Sequence, residues 1–300
     1  MKPLLIIGGA TGTGKSAIAV AVAKRINGEI VSADSMQIYR GLDVGTAKIT
    51  PAETCGIPHY MIDVVDPQSQ FSAADYKRMA TKVIEEIATK GFVPILCGGT
   101  GLYINAVLFD MSFSGEYDAD LRAQLKKESE EKGKTAMHEK LKALDSEAAS
   151  RLHVNDEKRV LRAIEKALTG GKEENDLTVA KYPYKMFVTE MPRDMMYRRI
   201  ETRVDEMIAN GLKSEVEGLL RRGIDYDKQC MQAIAYKEWA EQAKGLNESA
   251  IIELIKKNTR NYAKRQVTWF KQDHDATRLD MTAASLSEIA DRVVKEYIGD

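Results

Sequence analysis

The chain has 300 residues and a formal net charge of −1, with 44% hydrophobic and 30% charged residues. This length allows one full hydrophobic core and a smaller second unit, and the composition is typical of a soluble globular protein. Because the net charge is close to zero, binding to a nucleic acid would require a local basic surface. No stretch is long and apolar enough to predict a membrane span. Cys55, Cys97 and Cys230 are too widely spaced to predict a zinc site or a disulfide framework, so we expect a cytoplasmic protein.

Short apolar runs alternate with helical segments in the first third of the chain. The pattern predicts strands at residues 4–7, 29–33 and 93–97, with one helix from Lys15 to Asn27 and another from Ser72 to about Lys90. We expect Gly28 at the C′ position after the first helix, and mostly loops over residues 36–71. This order predicts an α/β fold with a parallel sheet and helices on both of its faces.

A charged helical region interrupts this pattern. From Asp118 to about Lys172 the sequence is helical, Gly170-Gly171 closes the region, and a strand returns at residues 185–189. We therefore expect residues 115–181 to form an all-helical insertion between two parts of one core, residues 1–114 and 182–300. From Asp194 onward the sequence again predicts helices, with breaks at Gly211, Gly223 and Gly245.

A phosphate-binding motif follows the first strand. It matches G-x-x-x-x-G-K-[ST] in full and consists of Gly9, Ala10, Thr11, Gly12, Thr13, Gly14, Lys15 and Ser16. The strand before it and the helix after it are the context that the motif requires. Backbone N–H groups and the helix N-terminus attract an anion, Lys15 reaches the terminal phosphate, and Ser16 can bind Mg²⁺. The motif predicts a diphosphate or triphosphate site in a P-loop NTPase-like fold, and a glycine turn without a ligand is the alternative.

Two polar residues follow the neighbouring strands, Asp34 after the second and Thr100 after the third. Since ligands of open parallel sheets bind at the carboxyl ends of strands, we expect both side chains near the anion bound by Lys15. Asp34 can accept a proton, bind a metal or cap a turn, and Thr100 can hydrogen-bond a bridging oxygen or only shape its turn. The third strand ends in Cys97-Gly98 without the acidic residue usual in P-loop NTPases, which disfavours an ATPase.

Basic residues cluster in three helical stretches. A single cluster of this kind is typical of a solvated surface, but three of them around a phosphate site favour a nucleic-acid backbone as partner. The members are Lys158, Arg159, Arg162 and Lys166; Lys256, Arg260, Lys264, Arg265 and Lys271; and Arg193, Arg198, Arg199 and Arg203.

Several segments together resemble the tRNA dimethylallyltransferase (tRNA isopentenyltransferase) family, and the resemblance runs nearly from end to end. The matching segments are residues 9–16, 32–48 (SADSMQIYRGLDVGTAK), 58–63, 98–103, 233–238 and 263–270. The departures are small: Ala10 stands where the family often has Pro, Tyr60 where a second His is common, and Ala235 where Gly is usual. No zinc finger like that of the eukaryotic members follows, so we expect a bacterial-type enzyme.

The resemblance implies transfer of the dimethylallyl group from dimethylallyl diphosphate to an exocyclic adenine amine in tRNA. The adenine is the one 3′-adjacent to the anticodon in tRNAs that read codons beginning with U, and diphosphate is released. The resemblance also implies that the P-loop and Mg²⁺ hold the diphosphate, that Asp34 is the general base and that Thr100 contacts both substrates. Arg199 or Arg203 is implied to reach the diphosphate. The implied tRNA contacts are Asp34, Ser35, Met36, Gln37, Thr100, Arg122, Arg159 and Arg162.

Three other functions fit part of the sequence. An adenylate isopentenyltransferase would use the same donor with a free nucleotide as acceptor, but the helical insertion and the basic C-terminal helix favour tRNA. A P-loop kinase for a small metabolite would consume ATP, and the missing acidic residue on the third strand disfavours it. A non-catalytic RNA-binding protein would make Asp34 dispensable. We expect a monomer that binds the tRNA anticodon stem-loop and does not bind a membrane.

Overall fold

The structure is a computed structural model, and it describes residues 2–113, 119–170, 177–273 and 275–299. The strands are β1 (Leu4–Gly9), β2 (Gly28–Ala33), β3 (His59–Tyr60), β4 (Val93–Gly98), β5 (Tyr184–Glu190) and β6 (Thr277–Asp280). The α-helices are α1 (Lys15–Ile26), α2 (Pro51–Thr54), α3 (Ala73–Thr89), α4 (Gly101–Leu108), α5 (Ala119–Leu144), α6 (Ser146–Arg151), α7 (Glu157–Thr169), α8 (Arg193–Ala209), α9 (Leu212–Arg221), α10 (Glu248–Phe270) and α11 (Leu286–Ile298). Two 3₁₀ helices cover Cys230–Gln232 and Lys237–Lys244.

Six strands of the described residues form one parallel sheet in the order β3-β2-β4-β1-β5-β6. β1 lies between β4 and β5, with Ile7 opposite Cys97 on one side and Phe187 on the other. This order confirms the predicted parallel α/β sheet. It also puts the carboxyl ends of β2, β4 and β1 next to one another, which is where a ligand of such a sheet binds.

Both faces of the sheet are covered, which explains why β1 is apolar along its whole length. Leu4 and Ile6 belong to a hydrophobic cluster with residues of α3, α4, α9 and α10. Leu5 and Ile7 point to the opposite face, where they join a cluster that includes Ile18 of α1. α11 contributes to that second cluster as well. The predicted helices on both faces are therefore present.

The end of α1 differs from the prediction by one residue. Asn27, with φ 55 and ψ 55, takes the left-handed conformation after the helix, and Gly28 is already the first residue of β2. Asparagine tolerates the left-handed region better than most residues with a side chain, so no glycine is needed there. Gly28 serves packing instead, because a Cβ on it would lie 2.7 Å from Ile95 Cδ1. The assignment of Gly28 to the C′ position was wrong.

The C-terminal part is not wholly helical, contrary to the prediction from Asp194 onward. Thr277–Asp280 forms β6 beside β5, and Leu279 is the one fully buried residue of this strand. Such a short edge strand has neither a long apolar run nor a clear alternation, and it takes its order from pairing with its neighbour. Residues 36–71 are mostly turns as expected, although they include α2 and β3.

The chain divides into two compact units, Met1–Asp110 with Leu177–Asp300, and Met111–Asp176. The second unit contains α5, α6 and α7, which bury a small cluster of residues that includes Leu125, Leu141, Val160 and Ile164. α5 is interrupted at Gly133, where φ is 80 and ψ is 165. The expected boundary at residue 115 and the expected helix limits at Asp118 and Lys172 lie outside the described residues. None of the described helices combines the length and the hydrophobicity that crossing a membrane requires.

Candidate active site

The loop between β1 and α1 has the backbone shape of an anion cradle. Gly14, the residue before α1, has φ 90 and ψ 13, a left-handed conformation that glycine adopts without strain. A Cβ on Gly9 would lie 2.2 Å from Thr189 Oγ1, so only glycine allows β5 to approach the loop. The Thr13 hydroxyl donates to the Ala10 carbonyl at 2.7 Å and closes the loop on itself. These contacts fix the loop at the N-terminus of α1, where an anion is favoured.

Lys15 is the first residue of α1, and its ammonium lies 3.4 Å from the Ala10 carbonyl oxygen. Burial lowers the pKa of Lys15, whereas the negative charge of Asp34 acts to raise it and the positive charge of Arg203 acts to lower it. A bound anion would offset the loss of hydration and favour the charged ammonium. The position of Lys15 thus suits an ammonium whose charge is balanced by a bound anion. Asp34 is close enough to affect the pKa of Lys15.

Two arginines of α8 lie against the phosphate loop. Arg203 Nη1 donates to Thr11 Oγ1 at 3.3 Å, and burial lowers the pKa of this guanidinium. Arg199 Nη1 lies 3.7 Å from the position that a Cβ on Gly14 would occupy. The sequence did not distinguish between these two residues, and the structure brings both of them to the loop.

Asp34 lies in the turn directly after β2. Its Oδ1 accepts the backbone N–H groups of Met36 at 2.9 Å and Gln37 at 3.2 Å. The carboxylate therefore caps its own turn, which was one of the three roles considered for it. Oδ2 makes no hydrogen bond to the described part of the chain. One carboxylate oxygen is held by the backbone, so the other has a defined direction without a protein partner.

Thr100 joins the end of β4 to the end of β2. Its Oγ1 accepts the backbone N–H of Ser35 at 3.1 Å, and its own N–H donates to the Ala33 carbonyl at 3.0 Å. A Cβ on Gly98 would lie 2.2 Å from that carbonyl oxygen, so glycine permits the close approach of the two strand ends. These contacts place Thr100 beside the turn that carries Asp34.

Gln37 points its side chain toward the segment that follows. Its Nε2 donates to the carbonyls of Thr46 at 3.2 Å and Ala47 at 3.3 Å. Glu215 of α9 holds the same segment, because its carboxylate accepts the three consecutive backbone N–H groups of residues 43–45 at 2.9 to 3.1 Å. The turn that carries Asp34 is thus supported from α9.

The end of β4 carries a thiol where P-loop NTPases usually have a carboxylate. Cys97 is buried beside Lys15, and burial raises its pKa to about 11. In the parts of the chain that the structure describes, no group of three or more His, Cys, Asp or Glu side chains is arranged to hold a metal ion. Ser16, exposed in the first turn of α1, is the residue of the loop that could bind Mg²⁺. The other ligands would be phosphate oxygens and water, which Mg²⁺ commonly keeps.

Two residues of α10 belong to the site although the sequence analysis did not select them. Gln266 is 6% exposed, and its amide contacts both the phosphate loop and the turn before Thr100. Tyr262 lies one helical turn earlier; burial raises its pKa to about 12, with a smaller contribution from the charge of Asp34. Spacing on a helix does not distinguish such residues from ordinary core residues.

Two of the three basic stretches meet at one pocket of about 610 Å³ in the unit of Met1–Asp110 and Leu177–Asp300 (the catalytic unit). Arg193 of α8, Lys264 of α10 and Lys271, which directly follows α10, line it together with the phosphate-loop residues Ala10 and Thr13. Other basic residues of α10 are engaged by acidic side chains, since Lys256 lies 2.8 Å from Asp205 and Arg260 lies 2.6 Å from Glu201. Only part of the basic sequence pattern therefore lines this pocket.

The inserted unit contains three arginines that were predicted to contact tRNA, and they form two different kinds of ion pair. Arg122 Nε lies 2.9 Å from both carboxylate oxygens of Glu165, and Arg162 Nη1 lies 2.8 Å from the same carboxylate. Glu165 is only 1% exposed, so it holds these two guanidiniums side by side. Arg159 is not part of this group. Its side chain is 76% exposed and pairs with Asp156 at 3.2 Å.

The fold and the site define a class. This chain is a P-loop α/β protein: it has a parallel sheet and a complete phosphate loop at the end of one strand. Polar residues at two neighbouring strand ends, Asp34 among them, lie beside the anion site of that loop.

Comparisons with known proteins narrow this class. The sequence model described as IPP transferase matches residues 37–273. The tRNA dimethylallyltransferase of Thermoanaerobacter sp. (strain X514) is 46% identical over 278 residues, which cover 89% of this chain and 88% of that protein. The tRNA dimethylallyltransferase of Bacillus cereus (strain AH820) is 45% identical and covers 94% of this chain and 90% of that protein.

Solved structures similar to this chain belong to the same kind of enzyme as its sequence relatives. The full-length tRNA isopentenylpyrophosphate transferase from Bacillus halodurans superposes with a TM-score of 0.74 and 41% identity, covering 99% of this chain and 98% of that chain. A eukaryotic dimethylallyltransferase described as acting on tRNA superposes with a TM-score of 0.80 and 26% identity, covering 93% of this chain and 74% of that chain. The chain belongs to the IPP transferase family, and the resemblance noted in its sequence is confirmed.

Proposed function

We propose that this protein transfers a dimethylallyl group from dimethylallyl diphosphate to the exocyclic amine of the adenine 3′-adjacent to the anticodon of tRNA. The tRNAs are those that read codons beginning with U. The observation that carries the proposal is the hydrogen bond from Ser35 to Thr100, which holds the Asp34 turn beside the end of β4. The influence of Asp34 on Lys15 supports a common site for a base and a leaving group. The names of the relatives support tRNA as the acceptor.

The phosphate loop would hold the diphosphate as a leaving group and not as part of a nucleotide. Lys15, Arg199 and Arg203 would stabilise the negative charge that develops as the carbon–oxygen bond breaks. Backbone N–H groups of residues 12–16 add further donors at the N-terminus of α1. This set of cations is suited to a leaving diphosphate, because Lys15 and Arg203 are desolvated beside the loop and the exposed Arg199 also lies close to it.

Mg²⁺ is the cofactor that we propose, with Ser16 as its protein ligand. The exposed position of Ser16 beside Lys15 fits an ion that is shared with diphosphate oxygens and water. When bound, Mg²⁺ supplies additional positive charge to the leaving group.

Asp34 would act as the general base. The amine nitrogen of adenine forms a bond to C1 of the dimethylallyl group, the bond from C1 to the diphosphate oxygen breaks, and the proton lost by the amine passes to Asp34. Oδ1 is held by two backbone N–H groups, which leaves Oδ2 to accept that proton. Thr100, beside Ser35, would orient the reacting groups, and Ser35, Met36 and Gln37 would contact the RNA around the adenine.

The adenine is stacked in the anticodon loop of free tRNA and must be displaced from its neighbours to reach Asp34. We propose that the inserted unit holds the anticodon stem through Arg122, Arg159 and Arg162. The basic lining of the pocket beside the phosphate loop is suited to contact the RNA backbone as well. Displacing a base costs a few kcal/mol, so such contacts are needed to hold the displaced conformation.

The test is a transfer assay with labelled dimethylallyl diphosphate, Mg²⁺ and either unmodified tRNA with an adenine-rich anticodon loop or free AMP. Label in tRNA alone supports the proposal. Label in AMP would assign the protein to the adenylate isopentenyltransferases. If neither acceptor is labelled and ATP is consumed in the presence of a small metabolite, the kinase alternative is correct.

A cytoplasmic location and a monomeric state remain predictions. Size-exclusion chromatography with light scattering, with and without tRNA, measures the oligomeric state directly. Cell fractionation tests the location. A stable dimer or a membrane-bound fraction would contradict them.

A further inference from the structure

One buried amide contacts both halves of the site. Gln266 Oε1 accepts the backbone N–H of Thr11 at 2.9 Å, and Gln266 Nε2 donates to the Gly99 carbonyl at 2.9 Å. Thr11 belongs to the phosphate loop, and Gly99 immediately precedes Thr100. The side chain is 6% exposed, so little water competes for either hydrogen bond.

The two ends of the Gln266 amide are used in opposite senses, one as acceptor and one as donor, which a carboxylate or an ammonium group cannot do. An aspartate or glutamate would present an acceptor to the Gly99 carbonyl, and a lysine would present a donor to the Thr11 N–H. Gly99 leaves room for this amide, because a Cβ on Gly99 would lie 2.1 Å from Gln266 Nε2. A buried amide that lost either partner would be left unsatisfied, which is costly in a low-dielectric interior.

A path of covalent and hydrogen bonds leads from this amide to the turn that carries Asp34. Thr100, the next residue after Gly99, accepts the Ser35 N–H at 3.1 Å, and Ser35 directly follows Asp34. One connected path therefore runs from the phosphate loop through Gln266 to the turn that carries the carboxylate. The path is short, and its hydrogen bonds join segments that are far apart in the sequence, so a change at its centre would shift one end relative to the other.

We propose that Gln266 is a positioning residue that sets the spacing between the diphosphate cradle and the Asp34 turn. The inference rests on the proposed transfer reaction, in which C1 of the donor and the adenine nitrogen must approach to about 3 Å. Gln266 contacts neither reacting atom. Its role is to keep two separately bound substrates in line, and a misplacement of about 1 Å is enough to slow such a reaction roughly 100-fold.

The experiment compares binding with reaction in Gln266→Met, a variant of similar volume that makes neither hydrogen bond. We expect the single-turnover rate of transfer to tRNA to fall by about 10- to 100-fold, while the dissociation constants of donor and tRNA change by less than about threefold. The matched control is Gln229→Met. Gln229 also accepts a backbone N–H and donates to a carbonyl, both of Phe71, at 3.0 and 2.8 Å, but it lies outside the site.

A second variant perturbs the same contact from the other partner. Gly99→Ala should give the same separation of rate from affinity, and adding Gln266→Met to it should cost little more, because both changes break one path. A rate for Gln266→Met equal to that of the Gln229→Met control would overturn the inference. So would a loss that appears wholly in the affinity for one substrate. If the unsubstituted protein transfers no label to tRNA, the proposed function fails, and this inference fails with it.

Discussion

The catalytic unit and the inserted helical unit hold their functional side chains by different means. In the catalytic unit, Thr100 and Gln266 are fixed by backbone groups that come from other strands and loops, and Asp34 is fixed by two N–H groups of its own turn. In the inserted unit, Arg159 and Arg162 lie on one helix and pair with acids three residues away. A position fixed by distant backbone has one allowed geometry, whereas a side chain on a helix surface has several. Substitutions should therefore abolish function in the first unit and only weaken it in the second.

The largest effect is expected for Asp34→Ala. Loss of the general base should reduce the rate of transfer by about 10²- to 10⁴-fold, while tRNA binding changes by less than about threefold. Single-turnover kinetics and a separate tRNA binding measurement test the two parts. Asp66→Ala is the control, because Asp66 Oδ1 accepts the Gln68 N–H at 2.9 Å in a similar turn outside the site. Turnover that survives in Asp34→Ala would mean that the base is another group.

The next effect is expected for Lys15→Ala. Because the ammonium would stabilise the leaving diphosphate both before and during the reaction, we expect the donor affinity to fall at least about 10-fold and the rate about 10²- to 10³-fold. Affinity for tRNA should not change. Lys24→Ala removes an exposed lysine from the same helix and should leave both quantities unaltered. An unchanged donor affinity in Lys15→Ala would contradict the role of the loop as the diphosphate site.

A smaller and graded effect is expected in the inserted unit for Arg159→Ala. If Arg159 contacts one tRNA phosphate, its loss should weaken tRNA binding about 3- to 10-fold at ~0.1 M salt. The slope of the logarithm of the binding constant against the logarithm of the salt concentration should become shallower by about one. The affinity for the donor should be unchanged.

Arg151→Ala is the control for Arg159→Ala. Arg151 lies in the same unit, is 69% exposed and also pairs with an acidic residue of its own helix. Equal losses of tRNA affinity in both variants would indicate a general effect of charge and not a contact at Arg159.

The two units also differ in what their sequences predict. The phosphate loop could be recognised because each of its glycines and Lys15 occupies a fixed place in a short motif. The proximity of Asp34 and Thr100 followed from the rule that parallel strands end at one edge. The inserted unit showed only charged helical periodicity, which predicts helices but not that Arg122 and Arg162 share the buried Glu165.

The role of Gln266 could not be predicted from the sequence alone. Its two partners lie 255 and 167 positions away, so neither leaves a local pattern. The same reason applies to Glu215, which binds the segment at residues 43–45 from 170 to 172 positions away. β6 was missed because a four-residue edge strand is ordered by its neighbour. In each case the determining contact joins segments that only the fold brings together.

The smallest effect is expected on the free energy of unfolding. An alanine-to-glycine substitution should raise this free energy at one position of the catalytic unit and lower it at one position of the inserted unit. Ala235, which stands where the family usually has Gly, has φ 80 and is 2% exposed. A left-handed conformation costs an L-residue about 1–2 kcal/mol, and glycine avoids this cost. The greater freedom of glycine in the unfolded chain offsets part of the gain. We therefore expect Ala235→Gly to raise the free energy of unfolding by about 0.5 to 1 kcal/mol.

The opposite sign is expected for Ala123→Gly on the exposed face of α5, where the backbone is helical and glycine costs up to about 1 kcal/mol. Chemical denaturation of both variants measures the two changes under one set of conditions. The N–H of Ala235 donates to Glu238 Oε2 at 2.8 Å, which holds the residue in its conformation whether or not it carries a methyl group. A loss of stability in Ala235→Gly would mean that packing of the buried methyl outweighs the backbone strain. The catalytic unit would then tolerate its departure from the family pattern for a reason of packing and not in spite of strain.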